Sequence, residues 1–110
     1  MASASPAAQA KSLETQVNII LRKFDLTRLS IDERENLITL RQDLTQSRTY
    51  ASDYELSETR DEQLTNAKRA RQWLAQARKR ILKASENNIF EPADVAQLSA
   101  QIDQIRGDLK

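Results

Sequence analysis

One stretch of the sequence concentrates basic side chains that could bind an anionic partner. Residues 63–85 carry seven of the chain's 17 lysines and arginines and contain no acidic residue. On a helix, most of these cations share the face opposite an alanine- and leucine-rich stripe, while Arg71 and Arg78 flank that stripe. Such a face could neutralise the phosphates of a nucleic acid, or dock on an acidic protein or anionic lipid. The candidate binding residues are Lys68, Arg69, Arg71, Arg78, Lys79, Arg80 and Lys83.

The alternative interpretation is that these charges only solvate an exposed helix, as charge runs usually do. An acidic run lies just upstream and could neutralise them within the fold. A nucleic-acid interface is less favoured than a protein interface, because the chain has a net charge of only +1 and lacks a recognised nucleic-acid-binding motif. Membrane docking is weaker still, because the apolar side is rich in alanine. The acidic residues are Asp53, Glu55, Glu58, Asp61 and Glu62.

Three aromatic residues are candidates for an interface. Tyr50 and Tyr54 lie four residues apart in a polar stretch, so they share one face wherever that stretch is helical. Trp73 flanks the apolar stripe of the basic segment and could instead close a gap in a thin core. Exposed tyrosine and tryptophan side chains concentrate binding energy at protein interfaces, and the sequence therefore predicts an interface patch at the two tyrosines.

The sequence offers little for catalysis. It has no cysteine and no histidine, which removes the thiolate nucleophile and the commonest general base. Acidic pairs such as Asp61/Glu62 and Asp32/Glu35 could hold a cation, but no calcium-loop or phosphate-loop motif accompanies them. We therefore predict a protein that is not an enzyme, with no catalytic residue, cofactor, metal site or small-molecule substrate.

One local resemblance concerns residues 74–103. Arg78, Ile81, Phe90 and the segment Ser99–Asp103 have a spacing that resembles the helical hairpin of the aspartyl-phosphate phosphatases that regulate sporulation signalling. That family carries a Ser-Gln-Glu-Leu-Asp element, where this chain reads Ser-Ala-Gln-Ile-Asp. The resemblance would imply that Asp103 acts on a phosphorylated regulator. Any antiparallel helical hairpin shares most of this pattern, so we do not assign the chain to that family.

The elements that must position these residues are helices. The chain has one glycine and two prolines, too few for the tight turns of a β protein. Ser30 followed by Glu33 is typical of a helix N-terminus, and Pro92 suits the first turn of a last helix. Apolar residues recur at steps of three and four in four segments. The spacing predicts helices at about 12–25, 31–50, 59–86 and 92–108.

These elements predict an all-α fold: a small three- or four-helix bundle with an antiparallel, coiled-coil-like C-terminal hairpin. Residues 1–11 are expected to form a disordered tail, and residues 12–110 a single helical domain. The stretch 45–62 is ambiguous because its Ser, Thr and Asp residues weaken a helix. A longer coiled coil, with the second and third helices partly fused, is the alternative.

The leading functional hypothesis is a non-enzymatic helical protein-interaction module: an adaptor, regulator or chaperone-like protein, possibly a dimer. The alternative is a nucleic-acid-associated protein that uses the basic face. The third is a small regulator of phosphorylated signalling proteins. No apolar run reaches the length of a membrane span and no secretory signal is evident, so we expect a cytoplasmic protein.

Overall fold

The computed structural model describes residues 4–110, and the first three residues of the expected tail lie outside this range. Within the described chain four α-helices follow one another, and a short 3-10 helix, Leu26–Arg28, lies between the first two. The prediction of an all-α bundle is confirmed. The helices are α1 (Pro6–Arg22), α2 (Ile31–Leu56), α3 (Arg60–Ser85) and α4 (Pro92–Asp108).

The four helices pack as a ring in which each helix has two neighbours. α2 lies between α1 and α3, α4 packs against α3, and α1 closes the ring against α4. The side of α3 that faces away from α2 and α4 is therefore left to the exterior. α2 and α3 are separated by a short break at residues 57–59, so they are not fused into one coiled coil.

Helix α1 begins at Pro6, so residues 6–11 are helical and not part of a disordered tail. Ser5 caps the helix by accepting a hydrogen bond from the Ala8 amide at 3.2 Å, and proline suits the first helical position. Ala10 is buried in the core. Alanine has the highest helix propensity but little apolar surface to bury. An alanine-rich N-terminal segment therefore gives no apolar pattern from which its packing against the core could be predicted.

Helix α2 continues to Leu56, six residues beyond its predicted end. Ser47, Thr49 and Ser57 donate their hydroxyls to carbonyls four residues earlier, which satisfies the side chains without breaking the helix. Ser47 and Ala51 are buried against the neighbouring helices. Tertiary packing therefore outweighs the low helix propensity of this stretch.

The most extensive helix contact is between α2 and α3, and the contact within the C-terminal hairpin of α3 and α4 is smaller. Small side chains explain the close approach, because alanine knobs bring helix axes to the short end of the usual range. The buried alanines of the two helices are Ala51 on α2 and Ala67, Ala70, Ala77 and Ala84 on α3.

The turn between α3 and α4 ends at Pro92, the predicted start of the last helix. Asn88 adopts the left-handed conformation, with φ of 61°, which asparagine tolerates at a helix end. Pro92 opens α4, and Ile89 and Phe90 are buried between the two helices' ends and the core. Arg78 bonds α4 near Ser99 while Arg71 bonds its last turn near Leu109, so the two helices run antiparallel.

Candidate functional site

The basic segment forms the centre of α3, and two of its arginines, Arg71 and Arg78, contact α4. Arg71 donates a hydrogen bond to the carbonyl oxygen of Leu109. Arg78 donates to the carbonyl of Ser99 at 3.0 Å and to the carboxylate of Asp103. These guanidinium groups fasten α4 to α3, which is a structural task, and they are not free to bind an external anion through the same N–H groups.

A second pair of arginines points to α2. The Arg69 guanidinium lies over the Tyr50 ring, 5.6 Å from its centroid, in a cation–π contact. Arg80 Nε lies 3.8 Å from Asp43 Oδ2, at the limit of an ion pair. Both residues were expected on the outward face, and both contact α2 instead, with Arg69 still exposed and Arg80 half-buried.

Asp43 belongs to a buried polar cluster between α2 and α3. The residue is only 3% exposed, and its Oδ2 accepts no hydrogen bond within the described chain. Burial raises the pKa of Asp43, and Arg80 only partly opposes this. Asn36 donates to the Arg80 carbonyl at 3.1 Å, which fixes the two helices in register. A buried polar group that is only partly satisfied costs stability.

The three lysines of the segment behave differently from the arginines. Lys68, Lys79 and Lys83 are exposed, and none forms a salt bridge with a carboxylate of residues 4–110. The upstream acidic run does not mask them. Glu55 accepts a hydrogen bond from the Ala7 amide at 2.8 Å, and Glu62 accepts one from the Glu58 amide at 3.3 Å.

The lysines lie on a stripe that runs along the exposed side of α3. Every member is exposed, and successive members are three or four residues apart, so they form one line on the helix surface. Two leucines border this line on the side nearer α4: Leu64, 45% exposed, and Leu82, 47% exposed. We call this line the outer stripe; it comprises Asp61, Thr65, Lys68, Gln72, Gln76, Lys79 and Lys83.

The uncharged members of the outer stripe and the two leucines were not among the site residues predicted from the sequence. The signal was present in the sequence, because polar residues recur at steps of three and four opposite the alanine stripe. The leucines were hard to recognise, since a single exposed leucine does not by itself indicate a binding site.

The aromatic candidates do not form one patch. Tyr50 and Tyr54 are half-buried and pack against the core, and the Tyr54 hydroxyl donates to the Lys110 carbonyl at 3.3 Å. Trp73 is half-buried on α3, one turn from Arg69 and on the same side of that helix. Tyr50 and Trp73 therefore border the outer stripe on its α2 side, whereas Tyr54 ties the chain end to α2.

The carboxylates do not converge. Among residues 4–110 no group of three acidic side chains could hold a metal ion. Asp103, on which the resemblance to the phosphatase family depends, is paired with Arg78 and is otherwise largely exposed. Asp61 and Glu62 lie in the first turn of α3 and Asp32 in the first turn of α2, where negative charge favours the helix dipole, and Glu35 is exposed just beyond that turn.

Comparisons with known proteins add no relative. No protein-family model matches the chain, and neither a curated protein nor a solved structure is significantly similar to it. None of the helices in the described range has both the length and the apolar character of a membrane span.

Proposed function

We propose that this protein is a helical protein-interaction module, an adaptor, regulator or chaperone-like protein, and that it binds its protein partner through the outer stripe of α3. The module needs no catalysis: it offers a preformed helix surface held rigid by the bundle behind it. The arginines of α3 brace that surface, and the lysines remain for the partner.

The observation that carries this proposal is the presence of exposed leucines beside unpaired lysines. Leu64 and Leu82 lie on the same side of α3 as the outer stripe, 18 residues apart and therefore about 27 Å along the helix. Protein interfaces combine apolar contacts with a polar rim. A phosphate backbone offers the leucines nothing to contact, so this combination favours a protein partner over a nucleic acid.

A nucleic acid is the second candidate because of the same lysines. Lys68 and Lys83 span about 22 Å of helix, which is long enough to contact several phosphates. Four of the seven basic residues are engaged within the fold, and this reduces the cationic surface that a nucleic acid could use.

A titration with two probes distinguishes a protein partner from a nucleic acid. The probes are a labelled acidic amphipathic helical peptide and a labelled DNA duplex, each at about 50 and 200 mM salt. Two variants are compared with the wild type. Lys68→Gln/Lys79→Gln/Lys83→Gln removes charge from the outer stripe, and Leu64→Ser/Leu82→Ser removes its apolar border. Circular dichroism verifies that each variant is folded.

A protein-binding face predicts that the peptide binds and that both variants weaken it, with part of the binding surviving the higher salt. Binding of the duplex alone, lost with the lysines but not with the leucines, would replace the protein-partner proposal by the nucleic-acid one. Peptide binding that neither variant changes would show that the outer stripe is not the binding face.

A further inference from the structure

The outer stripe is symmetric about its central residue, Gln72. Lys68 and Gln76 lie four residues to either side of Gln72, Thr65 and Lys79 lie seven residues away, and Asp61 and Lys83 lie eleven residues away. Every one of these side chains is exposed. A helix with such a stripe can pack against an antiparallel copy of itself about a two-fold axis at Gln72, because each residue then meets its counterpart on the other side.

The pairs formed along the stripe are chemically complementary. Asp61 of one copy meets Lys83 of the other, so opposite charges face each other at both ends of the contact. Lys79 meets the hydroxyl of Thr65 of the second copy. Lys68 meets the amide of Gln76, and the two Gln72 side chains can exchange hydrogen bonds at the axis. No two like charges face each other directly, although the pattern contains three lysines.

The borders of the stripe match as well. In an antiparallel pair, each side of the stripe meets the same side of the other copy. On the side nearer α4, Leu64 meets Leu82 of the second copy within about half a turn, and the symmetry produces this apolar contact twice. On the side nearer α2, Arg69 comes within a turn of Trp73 of the second copy, which allows stacking on the indole.

The opposite charges at the two ends of the outer stripe, Asp61 and Lys83, cannot pair within one molecule. Asp61 and Lys83 are 22 residues apart on one straight helix, a distance of about 33 Å along its axis. An antiparallel second copy brings the acidic end of one α3 to the basic end of the other. We propose that the partner bound at the outer stripe is a second copy of this chain, paired α3 to α3 about a two-fold axis at Gln72. This inference rests on the proposed function.

The expected dimer is weak and sensitive to salt. Its stripe is polar, exposed ion pairs contribute little each, and only the leucines and Trp73 supply apolar contact. Association should therefore increase with protein concentration up to about 1 mM and decrease between about 50 and 300 mM salt.

Two variants that cannot pair with themselves test the register. Lys79→Glu/Lys83→Glu places acidic residues at both ends of the stripe, and Asp61→Lys/Thr65→Lys places lysines at both ends. Each variant alone should associate roughly tenfold or more weakly than the wild type, because symmetry makes every substitution count twice. When the two variants are mixed, every substituted residue of one meets an opposite charge on the other, so sedimentation velocity should detect a 1:1 dimer of the two variants.

A matched control separates this pairing from attraction between net charges. Lys11→Glu/Lys23→Glu, on exposed positions of the first helix and its end, makes the same change in net charge as Lys79→Glu/Lys83→Glu. It should not dimerise with Asp61→Lys/Thr65→Lys, since that variant's stripe still meets the wild-type lysines. The control variant keeps the wild-type stripe and should still pair with itself, so the two proteins of each mixture carry different labels. A mixed dimer in the control mixture, or a folded test mixture without a mixed dimer, would overturn the two-fold pairing.

A single cysteine locates the axis, because the natural chain has none. Gln72→Cys should crosslink to its copy with a short bismaleimide, and Gln42→Cys, on the exposed side of α2, should not. Equal crosslinking at both positions would overturn the axis at Gln72. If the wild type stays monomeric at all concentrations while the acidic peptide still binds and needs the lysines, self-pairing fails but the proposed function stands. Loss of both would remove the proposed function too.

Discussion

The two sides of α3 carry the same kind of charge and use it differently. The arginines on the sides towards α2 and α4 contact a carbonyl, a carboxylate or an aromatic ring of the neighbouring helix. The lysines on the outer stripe contact no carboxylate of the described chain. Arg78 and Lys79 are neighbours in sequence, and one holds α4 while the other reaches into solvent.

The difference follows from the chemistry of the two side chains. A guanidinium is planar and can donate to a carbonyl and a carboxylate at once, as Arg78 does to Ser99 and Asp103. An ammonium group is compact and strongly hydrated, so it loses more hydration free energy than a guanidinium when it leaves water. A basic helix that has to brace a bundle and also keep a surface open can therefore divide the two tasks between arginine and lysine.

The largest expected effect tests the packed side of α3. Leu74 is fully buried, so Leu74→Ala should leave a cavity and lower the free energy of unfolding by about 2–5 kcal/mol. Urea denaturation measures this loss. A loss below about 1 kcal/mol would indicate that the bundle relaxes to fill the cavity, and the contrast between a rigid inner side and an open outer side would then weaken.

A smaller effect concerns the buried carboxylate at the α2 contact. Because burial raises the pKa of Asp43 above its usual value of 3.8, the folded protein holds this proton more tightly than the unfolded chain does. The contribution of Asp43 to stability is therefore most favourable below that value and is lost as the pH rises through the raised pKa.

Asp43→Asn removes this titration and should stabilise the protein by about 1 kcal/mol at neutral pH, because it replaces an incompletely satisfied buried charge. The gain over the wild type should shrink towards pH 4, which urea denaturation at several pH values can follow. A variant that is less stable than the wild type at pH 7 would show that the Asp43–Arg80 pair stabilises the α2–α3 contact.

Much of this architecture could be predicted from the sequence. The apolar spacing of α3 and α4, the Ser30 cap and the position of Pro92 gave helix bounds close to those observed. The start of α1 and the end of α2 could not be predicted as well, because Ala10 and Ala51 are helical through tertiary burial that local propensity does not contain.

The candidate site was predictable only in part. Helical periodicity separated Arg71 and Arg78 from the lysines, since these arginines flank the apolar stripe. It could not separate Arg69 and Arg80 from the lysines, because their positions depend on how α2 lies against α3. The symmetry about Gln72 is visible in the sequence, but it has meaning only once α3 is known to expose this side.

The most direct test of the division between the two sides compares Arg78→Gln with Lys79→Gln. Urea denaturation is carried out at a protein concentration low enough to exclude self-association, so that only the folded chain is measured. Arg78→Gln should lower the free energy of unfolding by about 1 kcal/mol, because α4 loses a charged hydrogen bond and an ion pair that is partly exposed. Lys79→Gln should change it by less than about 0.5 kcal/mol, as expected for an exposed side chain with no partner in the described fold. Equal losses from both substitutions would contradict the account, because Lys79 would then stabilise the bundle and would not be kept free for a partner.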